Sequence, residues 1–349
     1  MRTDSREMLG LRPTLEQVAA VAGVSRATVS RVVNDRSNVS EAARAAVQRA
    51  IEQTGYVPNR AARTLVTRRT DSVALVITEP ERRLFAEPFF AEVMRGASHV
   101  LAGSDLQLVL LMSQSNEDRL RAEQFLVRGH VDGALLLSLH AEDPLPRNLQ
   151  RHGLTVVTGG RPLNGGAGIP YVDVDNRGGG RSAVEHLIAT GRRRIGHITG
   201  PVDMAPGLDR LDGYRDALAA AGLAADEDLV VAGDFGHVSG AQGAAQLLER
   251  VRDLDAIFAS SDLMAAGALQ ALARHGRRVP EDVAVIGFDD SEVARSSNPT
   301  LSTIRQPVEL MGRKMATLLV QLLGQPPSDD GLAEHAVLLP TELVVREST

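Results

Sequence analysis

Two periodicities divide the chain. Up to about residue 58, apolar positions recur three and four apart, as on one face of a helix. From residue 72 they gather into short unbroken runs separated by amphipathic stretches. Thr14 and Gln17 make a capping box, which predicts a helix over 15–22 that breaks at Gly23. Ser25 caps a second helix, from Arg26 to residue 33 or 34. Ser40, with Glu41 in the first turn, opens a third helix that stops at Gly55. Val18, Ala22, Val24, Val29 and Val32 face inward from the first two helices. Ala43, Val47, Ala50 and Ile51 do so from the third, with Tyr56 beneath them. Two short helices that cross closely need a turn residue tolerant of positive φ and a small residue four positions earlier, and Gly23 and Ala19 supply both. The pattern is a helix-turn-helix.

Beyond it, the runs at 73–77, 106–112, 133–138 and 154–158 read as buried strands, with helices over 89–102 and 116–128. A second series follows at 171–174, 195–199, 229–232, 256–259 and 283–288, with helices over 181–190, 208–221, 240–252 and 264–275. Continuous apolar strands alternating with helices indicate parallel sheets covered on both faces. Two such series indicate two lobes, with a ligand cleft at the C-terminal ends of the strands. The expected fold is an all-α helix-turn-helix N-terminal domain (1–58), a hinge and linker (59–70), and an α/β two-lobed core of doubly wound parallel sheets (71–349).

Composition adds an asymmetry. The chain carries a net charge of −6, yet residues 1–70 hold 12 Arg against 6 Asp and Glu, a net of +6, which leaves −12 on the remainder. A basic head on an acidic body suits a head that alone meets a polyanion. The absence of cysteine excludes disulfides, thiolate metal sites and cysteine nucleophiles, and fits a cytoplasmic protein. No run of about 18 apolar residues marks a membrane span, and the charged N-terminus lacks the apolar stretch of a secretory signal.

The second helix exposes Ser25, Arg26, Ala27, Thr28, Ser30 and Arg31, with Asn34 at its end. Small hydroxyls let a helix sit deep and hold phosphate oxygens, and an Arg fork can read guanine O6 and N7. Thr14 at the first helix start and the Tyr56 hydroxyl are further candidates for phosphate contact. The stretch from Thr14 to Leu65, with its VSRATVSRVVN core at 24–34, resembles the head of the LacI–GalR family of bacterial repressors. The similarity continues more loosely through the rest of the chain. It implies a homodimer on double-stranded, palindromic operator DNA and a periplasmic-binding-protein-like core that binds a small-molecule effector. No other cofactor is implied. Tetrameric relatives carry a C-terminal leucine heptad, whereas residues 338–349 are strand-like. Pro58 blocks extension of the third helix and Asn59 can cap residues 60–66, too few to hold a helix alone in water. In similar proteins this segment folds on the operator and wedges a leucine into the minor groove. Leu65 matches that leucine, and Arg60 and Arg63 would add phosphate contacts. The resemblance also implies three chain crossings between lobes, placed near 170, 299 and 328. Lobe one is then 71–170 with 300–327, including a returning helix over 306–323, and lobe two is 171–299 with 328–349.

The core allows three readings: a sensor, a periplasmic-type sugar carrier or an enzyme. Its glycine clusters make neither a dinucleotide fingerprint nor a P-loop, and its histidines show no ligand spacing. Asp289-Asp290 after a strand could serve as an acid/base or metal pair, with no nucleophile or third ligand evident. The attached head and missing signal disfavour the carrier. Aromatic residues are only 3% of the chain, so Phe89, Phe90 and Phe235 at cleft positions are candidates to stack on the apolar face of a sugar, whereas Phe288 reads as core. The resemblance places effector contacts at Arg210 and Asp289, and Ser261 is a further candidate. An interlobe salt bridge is the competing role for Arg210. Met204 and Pro206 stand where a purine-sensing relative has polar groups, which favours a mono- or disaccharide over a purine. Gly159 stands where several relatives have Asp.

Overall fold

The computed structural model describes residues 13–33, 38–57, 69–163, 168–324 and 336–349. Contacts divide the chain into two compact units, 1–70 and 71–349. In the first unit, α1 (Leu15–Ala22) is closed by both halves of the capping box. Gln17 N–H donates to Thr14 Oγ1 at 3.4 Å, and Thr14 N–H to Gln17 Oε1 at 2.9 Å. Gly23 ends it at φ 66°, a left-handed conformation that costs a side-chain-bearing residue about 1–2 kcal/mol. α2 (Arg26–Val33) and α3 (Glu41–Thr54) follow. Val18, Val29 and Val47 are fully buried, and Ala19, Val32, Ala50 and Tyr56 complete this small core.

The second unit holds two six-stranded sheets. The strands of the first are β1 (Ser72–Ile77), β2 (Gln107–Met112), β3 (Gly133–Leu137), β4 (Thr155–Gly159), β5 (Tyr171–Val174) and, far along the chain, β11 (Ala336–Leu339). The second has β6 (Ile195–Thr199), β7 (Val230–Ala232), β8 (Ala256–Ala259), β9 (Ala284–Asp289), β10 (Ser302–Arg305) and β12 (Glu342–Val344). Their orders are β11-β5-β4-β3-β1-β2 and β12-β10-β9-β8-β6-β7. All pairings are parallel except β10 with β12. Apolar residues cover both faces of each sheet, which is why these strands read as unbroken runs. The helices Pro88–Ala102 and Val308–Gly324 pack on one face of the first sheet, and Asn116–Val127 and Leu145–Arg151 carry core residues on the other.

The lobe boundaries differ from those expected. Tyr171–Val174 was to open lobe two, but β5 lies between β4 and β11 in the first sheet. Residues 300–305 were given to lobe one, but β10 extends the second sheet beside β9. The chain therefore crosses between β5 and the helix Asn176–Ala189, between β10 and the helix Val308–Gly324, and between β11 and β12. The physical reason is that a buried parallel strand looks the same in either sheet; only ladder pairing, a non-local property, assigns it. The third crossing was expected near 328, with all of 328–349 in lobe two, but β11 (Ala336–Leu339) is the edge strand of the first sheet, so the crossing follows it. Three short helices, Glu81–Ala86, Leu145–Arg151 and Glu292–Ser296, were not anticipated.

Candidate functional site

On the head, Ser25, Arg26, Ala27 and Arg31 are exposed, and Thr28 and Ser30 are half-buried. Ser25 Oγ accepts from Thr28 N–H at 3.1 Å and lies 2.9 Å from Thr28 Oγ1, so the two hydroxyls are aligned at the start of α2. Arg26 Nε lies 3.0 Å from Glu16 on α1, with both side chains largely exposed. Thr14 is engaged in its capping box, and Tyr56 packs in the core of the head. Asn34, Asn59, Arg60, Arg63 and Leu65 lie outside the described residues.

In the core, the strand ends of both lobes open onto one cavity of about 1030 Å³, its open mouth included. Phe89, Phe90, Arg210, Phe235, Ser261 and Asp289 all line it. Phe89 and Phe90 belong to the first turn of the helix Pro88–Ala102, with their rings edge to face at 5.4 Å. Phe90 is fully buried in the lobe-one core, so it shapes the cleft wall from behind. Ser261 caps the helix Asp262–Arg274 by accepting from Met264 N–H, and its hydroxyl donates to the Phe235 carbonyl at 2.7 Å.

Arg210 is almost wholly buried, yet its bonds stay within lobe two. Nε donates to Asn176 Oδ1 at 2.9 Å and Nη1 to the Ser260 carbonyl at 2.6 Å. It is therefore not the interlobe salt bridge that the sequence left open. Its guanidinium lies 3.6 Å from the centre of the Phe288 ring and 5.5 Å from that of Phe235. Burial lowers its pKa to about 10, against the pull of Asp289, Asp173 and Asp262, and it remains a cation at neutral pH. Asn176 is held in turn by Asp173, whose Oδ1 accepts from Asn176 Nδ2 at 3.0 Å. The helix bearing Asn176 approaches so closely that a side chain at Gly179 would strike the Phe288 ring, as the glycine run suggested.

Asp289 and Asp290 diverge. Asp289 accepts from Gln306 Nε2 at 2.5 Å and carries φ 124°, a strained value for a non-glycine residue. Burial raises its pKa, opposed by Arg210 and Gln306. Asp290 is tied to Arg346, Arg305 and Arg295; burial pushes its carboxyl up, but Arg346 and Arg305 outweigh this and hold it low. Beside them Ser291 contributes to the cavity lining; its N–H donates to Asp262 Oδ2 at 2.7 Å and its hydroxyl is buried. Among the described residues no group of three or more His, Asp or Glu side chains could hold a metal ion.

Charged contacts link the lobes beside the cavity. His140 Nδ1 of lobe one lies 2.7 Å from Asp203 Oδ2 of lobe two, and Ala141 N–H donates to the Asp203 carbonyl at 2.8 Å. Arg161 Nη2 donates to both oxygens of Asp209. Arg83 on the helix Glu81–Ala86 is gripped by Glu79 and Glu87, each at 2.5 Å, and lies 5.2 Å from the centre of the Phe235 ring across the cleft. Burial lifts Glu87 to about 7, against Arg83 and with help from Asp289 and Glu79. These residues, with Asn176, Gln306 and Ser291, escaped the sequence reading. Their only signal was position, just past strand ends.

Comparison with known proteins places the head and the core together. Residues 14–59 match the profile described as bacterial regulatory proteins, lacI family, and residues 184–349 match a periplasmic binding protein-like domain. The HTH-type transcriptional regulator CelR of Thermobifida fusca is 53% identical over 342 residues, 97% of this chain and 98% of the relative. The chain belongs to the LacI family. The ribose operon repressor of Escherichia coli (strain K12) is 36% identical over 90% of this chain and 94% of its own. Among solved structures, a CelR–cellobiose complex aligns with TM-score 0.77 at 50% identity, over 97% of this chain and 100% of that one. A lac repressor dimer bound to operator and the anti-inducer ONPF aligns with TM-score 0.81 at 28% identity, over 97% and 99%. The chain is thus a DNA-binding transcription regulator of the LacI family. No helix among the described residues is long and apolar enough to cross a membrane.

Proposed function

We propose that this LacI-family chain is a cytoplasmic repressor that binds a palindromic operator as a homodimer and is controlled by a saccharide in the cleft between its lobes. The observation that carries the reading is the convergence of Phe89, Phe235, Arg210, Ser261 and Asp289, from both lobes, on one cavity. It offers aromatic faces for sugar rings, and a buried cation and a carboxylate for sugar O–H groups. The similarity to the CelR–cellobiose complex favours a disaccharide and makes cellobiose the first candidate. Arg26, Arg31 and the α2 hydroxyls are assigned to the major groove, with Leu65 as the minor-groove wedge.

The test is a gel-shift titration of purified full-length protein on a palindromic promoter fragment, followed by a screen of sugars against the preformed complex. A specific shift that cellobiose or another disaccharide changes in a dose-dependent way is the expected result. A protein that binds sugar without binding DNA selectively would overturn the regulator reading. Selective DNA binding indifferent to every saccharide would overturn the effector assignment.

A further inference from the structure

The cleft's arginines are each engaged by protein groups, two of them by carboxylates. Three arginines, Arg83, Arg161 and Arg210, line it together with four carboxylates, Glu87, Glu92, Asp173 and Asp289. Each guanidinium already has protein partners: Glu79 and Glu87 on Arg83, Asp209 on Arg161, Asn176 and the Ser260 carbonyl on Arg210. A further positive feature of the lobe-one wall is the N-terminus of the 15-residue helix Pro88–Ala102, whose first turn carries Phe89 and Phe90 into the lining. Such an end would ordinarily attract a phosphate or carboxylate, because its free N–H groups and dipole favour an anion. Here Glu87 stands at the N-cap, with its carboxylate turned to Arg83 and making no cap bond. Around it the group of Glu79, Glu87 and Asp203 against Arg83 and His140 keeps one negative charge in excess.

We infer that Glu87 is a specificity-determining residue that bars anionic saccharides, such as sugar phosphates and uronates, so that the effector is a neutral saccharide. The inference rests on the saccharide reading of the cleft and adds the sign of the charge that the cleft rejects. Like-charge repulsion in a partly buried site is screened far less than in water, so a doubly charged phosphate beside Glu87 is strongly disfavoured. A polyol suits the same site, because its O–H groups donate to carboxylates and its ring faces meet Phe89 and Phe235. Glu87→Gln keeps the side-chain shape, leaves Glu79 on Arg83, and removes the charge that masks the helix end.

The experiment is calorimetric titration of the full-length protein at pH 8, above the Glu87 value of about 7 and with phosphate fully ionised. The probes are cellobiose and the same disaccharide carrying phosphate at C1, C6 or C6′. Wild type is expected to prefer the neutral sugar over every phosphorylated form by at least about 50-fold. In Glu87→Gln that ratio should fall at least about tenfold for one or more of the phosphorylated forms. Glu87→Ala serves as a second variant should the first prove unstable, judged by its Tm. Equal or tighter binding of a phosphorylated form by wild type would overturn the inference. So would an unchanged ratio in a folded Glu87 variant. Failure of wild type to bind any neutral disaccharide would overturn the saccharide reading itself, and this inference with it.

Discussion

Arg210 is oriented before any ligand arrives. Asn176 and the Ser260 carbonyl fix two corners of the guanidinium, and Phe288 lies beneath it. Binding therefore requires little side-chain ordering, an advantage that a shorter residue loses. Arg210→Ala should raise the effector Kd by roughly 10–100-fold, consistent with about 1.5–3 kcal/mol for a charged hydrogen bond. Operator affinity without ligand should stay near wild type, as checked by calorimetry beside a gel shift. A mutant that responds at the wild-type ligand concentration would remove Arg210 from the site. His140 permits a second test at this scale. Its bonds to Glu79 and Asp203 lift its pKa from 6.5 to about 9, so the folded core holds the proton more tightly than the unfolded chain does. Its contribution to stability is complete below pH 6.5 and is lost as pH rises through about 9. His140→Gln should thus lower the Tm at pH 7 and change it little at pH 10. Equal Tm losses at the two pH values would show that the ion pair is not what the histidine contributes.

Among the elements, α2 carries two arginines in different circumstances. Arg31 is exposed, whereas Arg26 leans on Glu16 through an exposed pair that contributes little and can be exchanged for a phosphate. Arg31→Ala should cost roughly 1–3 kcal/mol on operator and relax preference at one base pair per half-site. Arg26→Ala should instead reduce the salt dependence by about one phosphate contact with base preference kept. Competition binding across a set of mutated half-sites separates these outcomes. The elements themselves were largely legible. Capping residues marked α1 to α3, and doubly covered strands announced themselves as apolar runs. The helices Glu81–Ala86 and Leu145–Arg151 were not, because six or seven residues do not repeat a helical pattern clearly. The lobe membership of β5, β10 and β11 was not legible because pairing is decided by distant partners. The same limit hid the Arg83 cluster: Glu79, Arg83 and Glu87 are spaced as an ordinary solvated helix face, and only the lobe opposite makes them part of a cleft.

For the molecule as a whole, a ligand that favours one arrangement of the lobes must alter operator affinity, and DNA must alter ligand affinity by the same factor. The expected coupling of about 1–3 kcal/mol corresponds to a several-fold to hundred-fold change, measurable by titrating sugar with and without operator. Leu65→Ala should weaken operator binding and DNA bending while leaving salt-sensitive binding to random DNA largely intact; equal losses on both would rule out the wedge. The interlaced path of the chain has a different consequence, in the order of manufacture. A growing polypeptide emerges from the ribosome N-terminus first, and its domains fold as they become complete. The head has its own core and can fold while the rest is still being made. Each sheet of the core lacks an edge strand until residues 336–344 supply β11 to one and β12 to the other. A nascent chain thus gains its DNA-reading surface well before its sensor. A truncation lacking residues 336–349 would pair a folded head with an incomplete core unable to hear the sugar.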